Sequence, residues 1–66
     1  MSTEQDYDLV GALMDYEIGA LTKDEVIELF ARLIESGLAF QLQGAYGRQA
    51  TALIEAGYIS ETGEIL

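Results

Sequence analysis

Carboxylates dominate the side chains that could do chemistry. Twelve Asp and Glu stand against three Lys and Arg, with no His and no Cys, for a formal charge of −9. The thiolate and imidazole donors of zinc sites are therefore missing. Asp24 and Glu28 stand one helical turn apart, a spacing at which two carboxylates could in principle share acid–base work. On a capped, charged helix face the same spacing describes ordinary solvated surface. Ser60 and Thr51 have no base beside them in the sequence, so neither reads as a nucleophile. The glycines form neither a GxGxxG nor a P-loop, and none is read as following a strand. A 66-residue chain also has little room for the roughly 300–1,000 Å³ pocket of a small-molecule site. No catalytic, metal or cofactor residue is assigned, and the composition points to binding.

The side chains best suited to binding fall between residues 40 and 49. Phe40, Gln41, Gln43, Tyr46, Arg48 and Gln49 combine aromatic rings, directional amides and a guanidinium, and Tyr and Arg are enriched among residues that carry interface energy. Gly44 and Gly47 flank Tyr46, which reads as a sharply turning backbone that exposes its neighbours. The competing reading is a Gly-rich helix connection with Phe40 and Tyr46 in the core. It is favoured for Phe40 and evenly balanced for Arg48. A second set, Asp24, Glu25 and Glu28, forms an acidic face that could steer the protein towards a basic surface.

The elements that position these residues are cut out by glycine, since the chain contains seven Gly and no Pro. Leu9, Val10, Leu13 and Tyr16 recur at helical spacing, with Met14 at the edge of the stripe, which predicts a helix over Asp6–Ile18. Asp6 and Asp8 suit the positive end of its dipole, and Gly19 suits its stop. Thr22-Lys23-Asp24-Glu25 is a capping box, with Leu21 and Val26 at the hydrophobic-staple positions. Val26, Ile27, Phe30, Leu33 and Ile34 form one apolar stripe, so a helix is expected over Thr22–Ser36, closed by Gly37. Leu38, Phe40 and Leu42 alternate with polar or small residues, a strand-like period. A lone strand has no partner, and one or two helical turns are favoured there. A last helix runs from Tyr46 or Arg48 to Ala56, with Tyr46, Ala50, Leu53 and Ile54 on one face and Gly57 as its stop. The tail from Tyr58 to Leu66 carries a turn signal at Thr62-Gly63 and reads as a minimal hairpin or as a segment draped over the core. The expected fold is all-α: one domain over residues 1–66, three to four helices with Gly-punctuated turns, and residues 1–5 flexible.

Half of the residues are apolar, yet so short a chain buries only about 60% of its unfolded surface and no disulfide can staple it. Burial of apolar surface in a homo-oligomer, most simply a dimer, is therefore expected. Eight of the twelve carboxylates lie at or before Glu28, and between Glu35 and Glu55 the only charge is Arg48. An acidic chain repels phosphate backbones, so direct nucleic-acid binding is not expected. No apolar run approaches the roughly 20 residues that span a bilayer, and the polar, acidic start does not read as a secretion signal. A cytoplasmic protein is expected.

Residues 15 to 60 resemble small uncharacterised proteins encoded by tailed bacteriophages. The resemblance is carried by Gly19-Ala20-Leu21, Leu33–Ala39, Leu42–Arg48 and Ala52–Gly57, above all by the Leu-Gln-Gly-x-Tyr-Gly-Arg block. Phe40 departs from the pattern, which has Trp there. The resemblance implies a phage origin and no mechanism. Together with the charge pattern it suggests an acidic accessory protein that binds a host protein and blocks or redirects it. Inhibitors of nucleic-acid-binding machinery, including anti-CRISPR proteins, can act in this way. A self-associating structural protein and a small helix-turn-helix regulator are the alternatives. The last is weakened by a recognition helix that would offer only Arg48 and Gln49.

Overall fold

The computed structural model describes residues 7–66. These contain α1 (Leu9–Glu17), α2 (Lys23–Ser36) and α3 (Gly44–Glu55), with a single 3₁₀ turn at Leu38–Phe40 joining the last two. Among the described residues there is no strand, only one antiparallel bridge between Ile59 and Ile65. Among the described residues no helix is long and apolar enough to cross a membrane. The expected flexibility of residues 1–5, and a helix start at Asp6, lie outside the described residues.

α2 is the spine. The capping box forms in full: Thr22 Oγ1 accepts from the Glu25 amide at 3.2 Å, and Glu25 Oε1 accepts from the Thr22 amide at 2.8 Å. Gly37, at φ +82°, ends the helix. Leu29 and Ala31 join Ile27, Phe30, Leu33 and Ile34 in the core, while Val26 is only half-buried. The buried surface is thus wider than the expected stripe, because α1, α3 and the tail cover the helix from different sides.

α1 starts later than its apolar period suggests. Asp8 is not a charge inside the first turn but the N-cap itself, accepting from the Gly11 amide at 2.9 Å. That bond fixes Leu9 as the first helical residue, and the helix ends separately at Glu17, with Ile18 as its C-cap. None of its side chains is fully buried. Leu9, Ala12, Leu13 and Tyr16 pack partly buried against the core.

The expected start of the last helix at Tyr46 or Arg48 is also corrected. α3 begins at Gly44, and both Gly44 and Gly47 take negative φ inside it. Gly has poor helix propensity, which hides this turn in the sequence. The inward anchors Tyr46, Ala50 and Leu53 supply the packing that overrides it.

The tail takes the hairpin alternative. Ser60 N–H donates to the Glu64 carbonyl at 2.7 Å, Gly63 N–H to Ser60 at 3.0 Å, and Leu66 N–H to Tyr58 at 3.0 Å. Ile59, fully buried, pins the hairpin to the core. Its tip presses on α2. Gly63 has φ +99°, and a methyl group there would stand 2.7 Å from the Ala31 carbonyl oxygen and 2.8 Å from the Glu35 nitrogen.

Two predictions follow from the cap and the hairpin tip. Thr22→Ala is expected to cost about 1 kcal/mol, the usual loss of an N-cap. In so small a domain this lowers the melting midpoint by several degrees, and an unchanged midpoint would show that the cap contributes nothing. Gly57 also has positive φ but has nothing within 4 Å of an added methyl. Gly57→Ala should therefore cost about 1 kcal/mol of backbone strain. Gly63→Ala adds a collision with helix backbone and should cost on the order of 3 kcal/mol. Equal losses in urea denaturation would show that the hairpin tip does not bear on α2.

Candidate functional site

With Leu9, Ala12, Leu13 and Tyr16 turned inward, the residues four apart on the far side of α1 face solvent. Val10, Met14 and Ile18 are 69%, 65% and 77% exposed. The sequence reading grouped Val10 with the inward stripe. The structure turns it outward, because two apolar stripes share one short helix and only one can meet α2.

The two flanks of this ridge differ. On one side, between α1 and the start of α2, lies a cleft lined by four carboxylates, Asp8, Asp15, Glu25 and Glu28, with Tyr7 and Leu21. On the other side a groove of about 280 Å³ is lined by Leu13, Met14, Glu17, Leu42, Gln43 and Tyr46. Among the described residues no group of carboxylates is disposed to hold a metal ion.

The groove floor is held by an aromatic cluster. The Phe30 ring lies 5.3 Å from Tyr16, edge-on at 72°, and 6.1 Å from Tyr46 at 27°, while Tyr16 and Tyr46 are 5.8 Å apart. Such pairs contribute about 1 kcal/mol each beyond their area. The Tyr46 hydroxyl donates to Glu17 Oε2 at 2.6 Å. That hydrogen bond, with burial second, pushes the phenol up to about 12. It also ties the end of α1 to the start of α3.

The residues proposed from the sequence are divided between surfaces. Tyr46 is buried, at 8% exposure, so it supports the groove from within rather than standing out of a loop. Gln43 is exposed on the groove's rim. Phe40 goes the other way: the core reading favoured for it fails, and it is 58% exposed. The 3₁₀ turn sends Ala39 into the core in its stead. Phe40 lines a second groove, of about 460 Å³, with Gly44, Gly47, Arg48, Thr51 and Glu55. Gln41 is exposed and Gln49 half-buried.

The acidic residues of α2 have local work as well. Glu25 completes the capping box. Glu28 accepts from Arg32 at 3.2 Å, and the Arg32 guanidinium lies 3.9 Å from the centre of the Tyr7 ring. Burial, then the Glu28 carboxylate, raises the Tyr7 phenol above its ordinary value. Lys23 donates to the Tyr58 hydroxyl at 2.8 Å and sits over that ring. This hydrogen bond raises its ammonium pKa. Asp24 is exposed, and so is Asp15 on α1. Asp8, Asp15 and the outward ridge were missed by sequence reasoning, although the spacing of Val10, Met14 and Ile18 carried the signal.

The chain belongs to the DUF7417 family, a domain of unknown function, whose model matches residues 4–66. No curated protein and no solved structure matches it.

The Tyr46–Glu17 bond yields a pH-dependent expectation. A phenol whose folded pKa is raised from 10 to about 12 stabilises the fold fully below pH 10, and that contribution is lost as pH rises through 12. Tyr46→Phe should therefore be less stable than the wild type at pH 7, by about 1 kcal/mol for one hydrogen bond. The gap should close between pH 10 and 12. Denaturation curves across that range decide the matter, and a constant gap would remove the bond from the stability of the fold.

Proposed function

We propose that this DUF7417 protein is a non-catalytic, phage-encoded accessory protein that docks on a host protein in the host cytoplasm and blocks or redirects it. The contact surface is the outer face of α1. The observation that carries this reading is the row Val10, Met14 and Ile18, each about two-thirds exposed or more. Single exposed apolar side chains are ordinary. A contiguous row beside an apolar groove marks an interaction surface.

The flanking charge supports a basic partner. Asp8, Asp15, Glu25 and Glu28 line one side of the ridge, on a chain of net charge −9. A basic host surface with an apolar centre complements both features. A groove that otherwise receives a polyanion is such a surface, which suits an anti-defence or anti-CRISPR-like inhibitor. The carboxylates raise the association rate, and the apolar ridge and groove set dissociation. The outer face of α3 supports a protein partner over DNA, because its groove holds one cation, Arg48, opposed by Glu55.

The test is capture from host lysate followed by binding kinetics on the recovered protein. Met14→Asp is expected to abolish capture while leaving the circular dichroism spectrum unchanged. Asp15→Lys combined with Asp24→Lys avoids the carboxylates that serve the capping box and the Arg32 pair. It should slow association about tenfold or more and flatten its dependence on salt. Capture undiminished by Met14→Asp would remove the α1 site. Association indifferent both to salt and to the charge reversal would remove electrostatic steering.

A further inference from the structure

The second groove has a different chemistry and a different occupant. It runs along the outer face of α3, where Gly44, Arg48, Thr51 and Glu55 recur every three or four residues, and Phe40 forms one wall. Phe40 is held against α3: a methyl group at Gly47 would lie 3.6 Å from its ring. The ring is nevertheless 58% exposed. An aromatic side chain braced against a helix and left in water is an unfilled contact, and the ends of the groove carry opposite charges.

Arg48 and Glu55 stand seven residues apart, two helical turns or about 10 Å along the same face. Neither makes a salt bridge among the described residues, where the single ion pair is Arg32 with Glu28. The other two cations are engaged by Tyr7, Glu28 and Tyr58. The Arg48 guanidinium instead lies back over Gly44, at the positive end of the α3 dipole, a poor place for a cation.

We propose that this face is a homodimer interface, in which α3 packs antiparallel against α3 of a second copy across a two-fold axis. The axis crosses the face between Arg48 and Glu55. Each Arg48 then meets Glu55 of the second copy, and one symmetric contact makes two ion pairs. A two-fold contact requires a surface complementary to itself. A face with one cation and one anion, spaced about a centre, meets that requirement. The acidic flank of α1 does not, since a second copy there would bring Asp8 and Asp15 against their own kind. On a chain of charge −9, like-charge repulsion leaves the stretch between Glu35 and Glu55 as the approach open to a second copy. The two Phe40 rings close the groove at its ends. One face of a three-turn helix with one aromatic wall falls short of the roughly 1,200 Å² of standard interfaces, so the dimer is weak. Its dissociation constant should be of micromolar order.

Sedimentation velocity over a concentration series, up to about 1 mM, tests the arrangement. The wild type is expected to pass from monomer to dimer. Arg48→Glu and Glu55→Arg each set like charges together in both contacts, and each should weaken the dimer about tenfold or more. The double variant Arg48→Glu/Glu55→Arg should restore it. Mixing the two single variants should produce a heterodimer, because Glu at 48 and at 55 of one chain then faces Arg at both positions of the other. Phe40→Ala should weaken association, and Met14→Asp should leave it intact. A wild type that stays monomeric to about 1 mM would overturn the proposal. So would a dimer that tolerates both single reversals, or single variants that fail to dimerise when mixed.

Discussion

The contact on which the rest of this fold depends is the meeting of Phe30 with Tyr16 and Tyr46. A chain of 66 residues without Cys has no covalent staple and a small core, so few side chains must hold several elements at once. Phe30 does so from the middle of α2: its edge-on contact fixes α1 and its stacked contact fixes α3. The Tyr46 hydroxyl, bonded to Glu17 at 2.6 Å, closes the triangle by joining α1 to α3 directly. α1 has no fully buried residue, so these ring contacts and the hydrogen bond do much of the work of seating it. Seating α1 in that orientation also turns Val10, Met14 and Ile18 to solvent. The exposed ridge follows from how the core was solved.

What could be read from the sequence depended on whether a signal was local. The capping box at Thr22 and the stop at Gly37 are decided within a few residues, and both are as the sequence suggests. The hairpin at Thr62-Gly63 is a local turn signal too, though its purchase on α2 through Gly63 is not. The start of α3 is hidden because Gly44 and Gly47 argue against helix, and only the burial of Tyr46, whose partner Glu17 lies 29 residues away in the chain, overrides them. Phe40 leaves the core place favoured for it for a similar reason. A single 3₁₀ turn sets which of Ala39 and Phe40 faces inward, and periodicity over three residues cannot resolve that choice. Val10 was grouped with its inward neighbours because both faces of α1 are apolar, and only the position of α2 tells them apart.

The same split explains why the segment from Phe40 to Gln49, so suggestive as one motif, is not one site. Gln43 and Tyr46 border the groove against α1, whereas Phe40 and Arg48 border the groove on the outer face of α3. A helix displays its residues in all directions, so adjacency in the chain separates them in space. The polar and aromatic side chains concentrated in ten residues are thereby distributed over two surfaces that share no lining residue.

Charge distinguishes those surfaces. The ridge of α1 is bordered by carboxylates, which favours a basic partner and disfavours a second acidic copy. The outer face of α3 balances Arg48 against Glu55, which gives long-range attraction to nothing but permits close approach by an identical chain. Because the two grooves have no residue in common, filling one does not remove the other. Two copies joined through α3 would present two α1 ridges from one assembly and double the acidic field around them. A host protein with two basic sites within reach would then be held by both, and linkage of the two contacts raises the effective affinity without a new contact. A weak dimer is suited to this role. It would part into charged monomers when dilute, and a partner offering paired sites would itself bring two copies together, so that assembly would strengthen where the target is present.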